Sequence, residues 1–242
     1  MFFLNLINST SDISTMLICG LAFILVVVFS IVMHEISHGY AALFCGDATA
    51  KISGRLTLNP VEHFNWMGAL MFFLVGFGWA KPVPINPNNF KEYKKGMLIV
   101  SCAGVVTNLL LAGIGLLCLY LLAPLYVRTF DNATTSVLVD FAFYLVIYGI
   151  QINFMLAMFN LLPIYPLDGY NVVNTLLPNN TKYQAFMIRY GFMVLIGLIL
   201  IGNVGSSLGI AWLDIFGLFS DLIVDLINKV LFSGIINFYG IG

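Results

Sequence analysis

The stretch STMLICGLAFILVVVFSIVMHEISHGY, residues 14–40, indicates how the whole chain is built. It begins as an almost unbroken apolar run and then places His34, Glu35 and His38 near its end. A helix needs roughly 20 apolar residues to cross a bilayer. A charged side chain near the bilayer centre costs about 2.5–3.5 kcal/mol on insertion scales, so ionisable groups there are candidates for function. The stretch therefore predicts a spanning helix that carries a chemical site.

The composition of the chain is that of a membrane protein. Of its 242 residues, 60% are hydrophobic and 9% are charged, and the mean hydropathy is +0.98. Soluble domains contain about 45–50% apolar residues. The net charge of −1 offers no basic surface, which excludes nucleic acid as a partner. The four cysteines lack CxxC spacing, so neither a disulfide framework nor a thiolate zinc site is indicated.

Four apolar runs have the length of a membrane-spanning helix. They cover about residues 14–45, 97–127, 136–162 and 184–204. The run 210–232 is also long enough, but acidic residues recur on one helical face, so it either spans beside a polar interior or lies in the interface. The shorter, glycine-rich run 66–80 is a possible re-entrant segment. We expect an all-α polytopic membrane protein with four to six transmembrane helices.

Residues 51–58, after the first span, alternate polar and apolar side chains. A period of two is typical of a β-strand, so this segment predicts a small β element at the membrane surface. If its edge is free, it could accept an unwound substrate as an added strand. A surface hairpin that only covers the site is the alternative.

The basic residues predict the orientation of the chain in the cell membrane. Six of the ten lie between the first two long spans: Lys51, Arg55, Lys81, Lys91, Lys94 and Lys95. Lysine and arginine favour the cytoplasmic side, which places the N-terminus outside. Following the spans, the HEISH segment and the PLDG segment at 166–169 reach the cytoplasmic side at similar depth.

The spacing within HEISH matches the chemistry of a zinc site. Residues four apart on a helix face the same way, so His34 and His38 can meet one tetrahedral ion. Glu35 lies alongside, where it can take a proton from metal-bound water and pass it to a leaving amine. HExxH on a helix therefore predicts a metallopeptidase. The alternative is a chance match in which both histidines only support packing.

A catalytic zinc ion normally has three protein ligands, so HEISH is incomplete by itself. His63 lies beyond a proline in a predicted interfacial loop and is the weaker candidate for the third ligand. Asp168, in NLLPIYPLDGYNVV, lies on the same predicted side of the membrane as HEISH. An aspartate is also a common helix N-cap. From the residues alone, the ligand and capping roles of Asp168 remain open.

HExxH in a first spanning helix, GRLTLNP and KPVPINP after it, and NLLPIYPLDG after a later span closely resemble the site-2 protease family of intramembrane zinc metalloproteases. The resemblance is to short members without a PDZ domain and runs from about residue 31 to 177. It implies that His34, His38 and Asp168 bind one catalytic Zn²⁺, with Glu35 as general base. It also implies cleavage of transmembrane protein or peptide substrates within the bilayer, near its cytosolic face.

The lengths of the apolar runs and of the loops between them also predict the division of the chain. Residues 1–242 are expected to form a single membrane-embedded metalloprotease domain with its catalytic core at about 14–204. Residues 205–242 are then an extra C-terminal span or an interfacial helix. The oligomeric state is not predicted.

Two asparagines inside spans are candidates for substrate contacts. Asn108 and Asn160 could each orient a substrate carbonyl or stabilise an oxyanion. An interhelical hydrogen bond is the alternative for both. The family often has a Gly-Pro-x-x-Asn pattern, and this chain keeps Gly104 and Asn108 but has Val105 in place of proline.

A polytopic metal-ion transporter that uses the same His/Asp cluster is the main alternative function. Transporter folds commonly contain internal repeats, and none is visible in this sequence. A noncatalytic scaffold and a metalloprotease with a glutamate as third ligand are further alternatives. A Glu35→Gln protein that keeps zinc but loses proteolysis would distinguish the enzyme from the transporter.

Overall fold

A computed structural model describes residues 13–75, 78–129, 133–178, 181–210 and 213–239. The regular structure within these ranges is helical, without a strand. The helices are α1 (Ile13–Cys45), α2 (Thr49–Ile52), α3 (Pro60–His63), α4 (Trp66–Val75), α5 (Tyr93–Thr129), α6 (Ala133–Asn160), α7 (Asp168–Leu176), α8 (Lys182–Ser207) and α9 (Ile215–Tyr239). A 3₁₀ turn, Pro87–Asn89, precedes α5. The long apolar runs of the sequence therefore form long helices, as predicted.

Four of the described helices are long and apolar enough to cross a membrane. These segments are Thr15–Cys45, Tyr93–Pro124, Val137–Asn160 and Lys182–Ser207, in α1, α5, α6 and α8. Their outer faces carry large exposed apolar side chains, such as Leu21, Phe29 and Leu110. A continuous apolar surface of this kind suits lipid rather than water. The polytopic membrane class and the four long spans are confirmed.

Helices α1, α5 and α6 form the centre of the bundle. Ala22 and Val26 of α1 pack against Tyr148 of α6 in one buried cluster. Leu119 of α5 and Ile150 of α6 are fully buried in a second cluster. The segments that carry chemistry lie on these helices or directly against them.

Helix α9 packs against this centre through one apolar face. Ile223 and Ile227, one turn apart, belong to the same buried cluster as residues of α5 and α6. The Lys229 amine lies 2.6 Å from the Asp225 carboxylate, and both side chains are exposed. The charged face of α9 therefore points away from the bundle, so these residues do not line a polar interior.

Residues 51–58 are not a strand, and that prediction was wrong. Gly54 has φ +68°, and the Arg55 amide donates to the Ala50 carbonyl at 3.0 Å. This is a Schellman cap, in which glycine supplies the left-handed residue that ends helix α2. The alternation also fails to describe burial, because Arg55 is buried and Ile52 is 84% exposed. Without a strand, the segment has no free edge for a substrate.

The short run after α3 stays in contact with the long helices: the Phe72 ring of α4 stacks on Phe23 of α1 with centroids 6.3 Å apart. The Lys81 amide donates to the His63 carbonyl at 2.8 Å, which joins the two ends of this segment. Within it, the backbones of Gly68 and Trp79 are in direct contact, with no space for a side chain at position 68. Residues 76 and 77 lie outside the described residues. A re-entrant position of this segment in the membrane stays a prediction.

Asp47 anchors the extended, proline-rich segment that follows against the end of α1. Its buried carboxylate accepts hydrogen bonds from the Asn86 amide at 2.7 Å and the Asn89 side chain at 2.8 Å. The Thr49 amide and hydroxyl also donate to it. Burial raises the pKa of Asp47, but the hydrogen bonds from Thr49, Asn86 and Asn89 outweigh this effect and lower the pKa below its ordinary value.

Candidate metal centre

Helix α1 turns both histidines of HEISH toward the centre of the bundle. His34 and His38 are one turn apart, and each is only 8% exposed. Their Nε2 atoms are 3.1 Å apart. The four-residue spacing therefore brings the two imidazoles to one point, as a helix requires.

Asp168, more than 100 residues later in the sequence, reaches the same point. It is the first residue of α7, and its Oδ2 lies 3.3 Å from Nε2 of His34 and 3.3 Å from Nε2 of His38. A Cβ atom at Gly169 would lie 2.6 Å from the Leu162 carbonyl oxygen, so only glycine lets α7 begin so close to the preceding turn. The residue at the N-cap position is a leucine, and no side chain caps the helix. Asp168 therefore does not act as the N-cap.

The three atoms are spaced like ligands of a tetrahedral ion. Zinc binds nitrogen and carboxylate oxygen at about 2.0–2.2 Å, so its tetrahedral ligands lie roughly 3.3–3.5 Å apart. The separations here are 3.1, 3.3 and 3.3 Å. Among the described residues, His34, His38 and Asp168 form the group of metal-ligating side chains with ligand atoms within 4.8 Å of one another.

The surrounding hydrogen bonds leave lone pairs on all three atoms. Nδ1 of His38 lies 2.7 Å from the Val100 carbonyl, which only accepts, so the proton is on Nδ1 and Nε2 carries a lone pair. Nδ1 of His34 makes the corresponding bond to Oδ1 of Asn108 at 2.6 Å. Oδ2 of Asp168 is buried, and no described group donates a hydrogen bond to it. Three lone pairs that face one point are the donor set of a metal ion, so these residues fit zinc.

Helix α5 approaches His34 at a glycine. A Cβ atom at Gly104 would lie 2.6 Å from both ring nitrogens of His34. The absence of a side chain therefore lets the backbone of α5 lie directly against the imidazole. Asn108, one turn later on α5, bonds the same ring. The Gly-x-x-x-Asn spacing that the chain keeps thus has a physical reason.

The proline-rich segment holds Glu35. The Val83 amide donates to Oε2 of Glu35 at 3.0 Å, and the glutamate is half-buried. Val83 is itself buried, and its side chain lies against α1 at Gly39. The carboxylate next to the histidine pair is therefore oriented by a backbone donor.

The remaining candidate residues lie outside this group of ligands. His63 is buried, and its Nε2 donates to the Thr57 carbonyl at 2.9 Å. Its side chain therefore stabilises the loop between α2 and α3. Asn108 is fully buried, and its amide is bonded to His34 and to Asn153 of α6, which is the interhelical alternative; a substrate contact for Asn108 stays a prediction. The Asn160 side chain donates to the Leu156 carbonyl at 2.9 Å. A substrate contact for Asn160 stays a prediction.

Sequence reasoning missed two groups that support the site. Asn153 lies inside the third span and accepts a hydrogen bond from Asn108 at 2.8 Å. An amide in an apolar helix, two turns before Asn160, is a signal that could have pointed to it. The Val83 amide gives no such signal, because backbone donors carry no mark in the sequence.

Comparisons with known proteins agree on one family. Residues 22–198 match the model of peptidase family M50. The chain is 38% identical over 176 residues to the predicted zinc metalloprotease YwhC of Bacillus subtilis (strain 168), covering 72% of this chain and 78% of that one. It is 29% identical over 187 residues to the predicted zinc metalloprotease Rip2 of Mycolicibacterium smegmatis, covering 74% and 67%. No solved structure matches significantly.

Proposed function

Because the chain belongs to peptidase family M50, the site-2 protease family of zinc metalloproteases, we propose a specific site and reaction for it. The protein hydrolyses peptide bonds of transmembrane proteins or peptides near the cytosolic face of the membrane. His34, His38 and Asp168 bind one zinc ion, and Glu35 is the general base. The observation that carries the proposal is the convergence of three buried acceptor atoms, 3.1–3.3 Å apart, without a donor among the described groups.

Each residue around the ion has a separate role in the proposed reaction. A zinc ion in such a site is a Lewis acid that makes a bound water acidic near neutral pH. Glu35, next to His34 on α1, accepts a proton from water and donates it to the leaving nitrogen. The Val83 amide, 3.0 Å from Oε2, keeps the carboxylate from rotating away. Asn160 is the candidate contact for the substrate backbone.

The position of the site supports cleavage close to the membrane boundary. A transmembrane helix hides its peptide bonds in internal hydrogen bonds, so a substrate must unwind locally before water can attack. HEISH lies in the last third of α1, and the extended segment after Lys81 lies over it. Exposed lysines gather around the same connections: Lys51, Lys81, Lys91, Lys94 and Lys95. This concentration supports a cytosolic position for the site.

The direct test is metal analysis together with cleavage of a single-span model substrate by the purified protein in lipid. We expect about one zinc ion per chain and cleavage by the wild type. Glu35→Gln should keep zinc and lose roughly 10²–10⁴-fold in cleavage rate, because the general base is removed. The matched control is Glu92→Gln, which changes an exposed carboxylate paired with Lys95 at 3.6 Å and should cleave normally.

Two outcomes would contradict the proposal. Loss of zinc from the Glu35→Gln protein would make Glu35 a ligand rather than a base. Metal flux through reconstituted vesicles that the same substitution abolishes, with no cleavage by the wild type, would identify a transporter instead.

A further inference from the structure

A continuous set of buried hydrogen bonds links helix α6 to His34. Nδ2 of Asn153 donates to the Gly149 carbonyl at 2.8 Å and to the Ser30 hydroxyl oxygen at 2.9 Å. Oδ1 of Asn153 accepts from Nδ2 of Asn108 at 2.8 Å. Oδ1 of Asn108 accepts from Nδ1 of His34 at 2.6 Å. All four side chains are buried.

The donor and the acceptor in each of these hydrogen bonds can be assigned, because one of the partners is a backbone carbonyl. The Gly149 carbonyl can only accept, so the NH₂ group of Asn153 must face it. The Oδ1 of Asn153 then faces Asn108, whose NH₂ group must donate to it. The Oδ1 of Asn108 is left facing His34, so the ring must carry its proton on Nδ1. Reversing either amide would place two donors or two acceptors against each other.

We propose that Asn153, acting through Asn108, is a positioning residue that selects the His34 tautomer able to bind the metal. With its proton on Nδ1, the ring presents the Nε2 lone pair to the point where His38 and Asp168 converge. With the opposite tautomer, Nε2 would carry a proton and could not be a ligand. This inference rests on the zinc site of the proposed function.

A comparison with His38 shows why the tautomer of His34 depends on a second residue behind Asn108. His38 is fixed directly by the Val100 carbonyl, which is an acceptor and cannot reverse. His34 meets a side-chain amide instead, and an amide can rotate to offer either its oxygen or its NH₂ group. Asn108 alone therefore does not determine the tautomer of His34. The fixed carbonyl of Gly149, transmitted by Asn153, removes that freedom.

The first test measures the tautomer without any activity assay. The chain has three histidines, so selective ¹⁵N labelling of the full-length protein in lipid gives a simple spectrum. Signals are assigned with His38→Asn and His63→Asn. Zinc is removed by chelation, and the pH is raised until the ¹⁵N shifts themselves show that the His34 ring is neutral. The proposal expects His34 to be protonated on Nδ1, and the Nε2-protonated form in the wild type would overturn it.

The second test measures zinc affinity and the tautomer together in variants. In Asn153→Leu the Asn108 amide loses its acceptor and is free to reverse, so we expect both His34 tautomers. Zinc should then bind more weakly by the reciprocal of the fraction of His34 that keeps its proton on Nδ1, about 2-fold for an equal mixture of the two tautomers. The matched control is Ser30→Ala, which removes one contact of Asn153 but leaves the Gly149 carbonyl in place. It should keep the wild-type tautomer.

The results separate this inference from the proposed function. If Asn153→Leu keeps the Nδ1 tautomer and wild-type zinc affinity while the wild type cleaves substrate, the positioning role is wrong and the protease stands. If the wild type binds no zinc, the proposed site fails first. Should Asn153→Leu not fold, the wild-type spectrum remains decisive, since it requires no variant of the Asn108–Asn153 pair.

Discussion

The backbone of α5 touches the His34 imidazole at Gly104, and an added methyl group there has no free space. We predict that Gly104→Ala displaces the ring and weakens zinc binding by at least about 10-fold, as for other changes that disturb a ligand's support. Competition with a chromophoric chelator measures the affinity directly.

Gly113 provides the matched control on the same helix. Among the residues that the structure describes, nothing lies within 4 Å of a Cβ atom added there. Alanine should therefore leave zinc binding unchanged and stabilise the helix by about 0.5–1 kcal/mol. Wild-type zinc affinity in the Gly104→Ala protein would show that α5 does not hold the ring in this way.

The connection between α1 and the proline-rich segment depends on one carboxylate. Asp47 has a lowered pKa in the folded protein because its hydrogen bonds outweigh the effect of burial. Its stabilising contribution is therefore fully present above the unfolded pKa of about 3.9 and is lost as the pH falls through the lower folded value. The segment that holds Glu35 through Val83 should thus stay anchored across the neutral and mildly acidic range.

We predict that Asp47→Asn lowers the unfolding temperature of the purified protein, by an amount that is constant from about pH 8 to pH 5 and shrinks below about pH 4. The control is Asp225→Asn, which changes an exposed carboxylate on α9 and should have little effect. Thermal unfolding of the three proteins across this pH range measures the difference. A difference that disappears by about pH 6 would mean that the carboxylate is not the anchor.

Across the whole molecule, the correctly predicted features depend on the length of an apolar run or on the spacing of residues along one helix. A bilayer imposes a minimum helix length, so hydropathy located α1, α5, α6 and α8. Helical geometry brings residues four apart together, so HEISH predicted the histidine pair. The contact of Asp168 with that pair is tertiary, so within the sequence only the family resemblance indicated it.

The failures have equally physical causes. The alternation at 51–58 was too short to outweigh local helical structure, because Gly54 ends a short helix whose first residue, Thr49, donates its amide to Asp47. Asn153 was missed because an interhelical amide pair depends on how α5 and α6 face each other, which no pattern within either helix records. Pairing across elements is thus the part of the site that sequence patterns leave undetermined.

The predicted orientation of the whole chain can be tested with single cysteines in a cysteine-free protein. Lys94→Cys replaces an exposed residue just after the start of α5, and Ser207→Cys an exposed residue at the end of α8. A membrane-impermeant thiol reagent should label position 207 in intact cells and position 94 only in inverted vesicles. The reverse pattern would place the site on the outer side.

X-ray absorption at the zinc edge, on wild type and Asp168→Ala, tests most directly whether His34, His38 and Asp168 share one ion. The account predicts two imidazole nitrogens and a carboxylate oxygen at about 2.0–2.2 Å in the wild type. It also predicts that zinc is lost, or its first shell altered, in Asp168→Ala. An identical zinc spectrum in both proteins, or no bound zinc in the wild type, would contradict it.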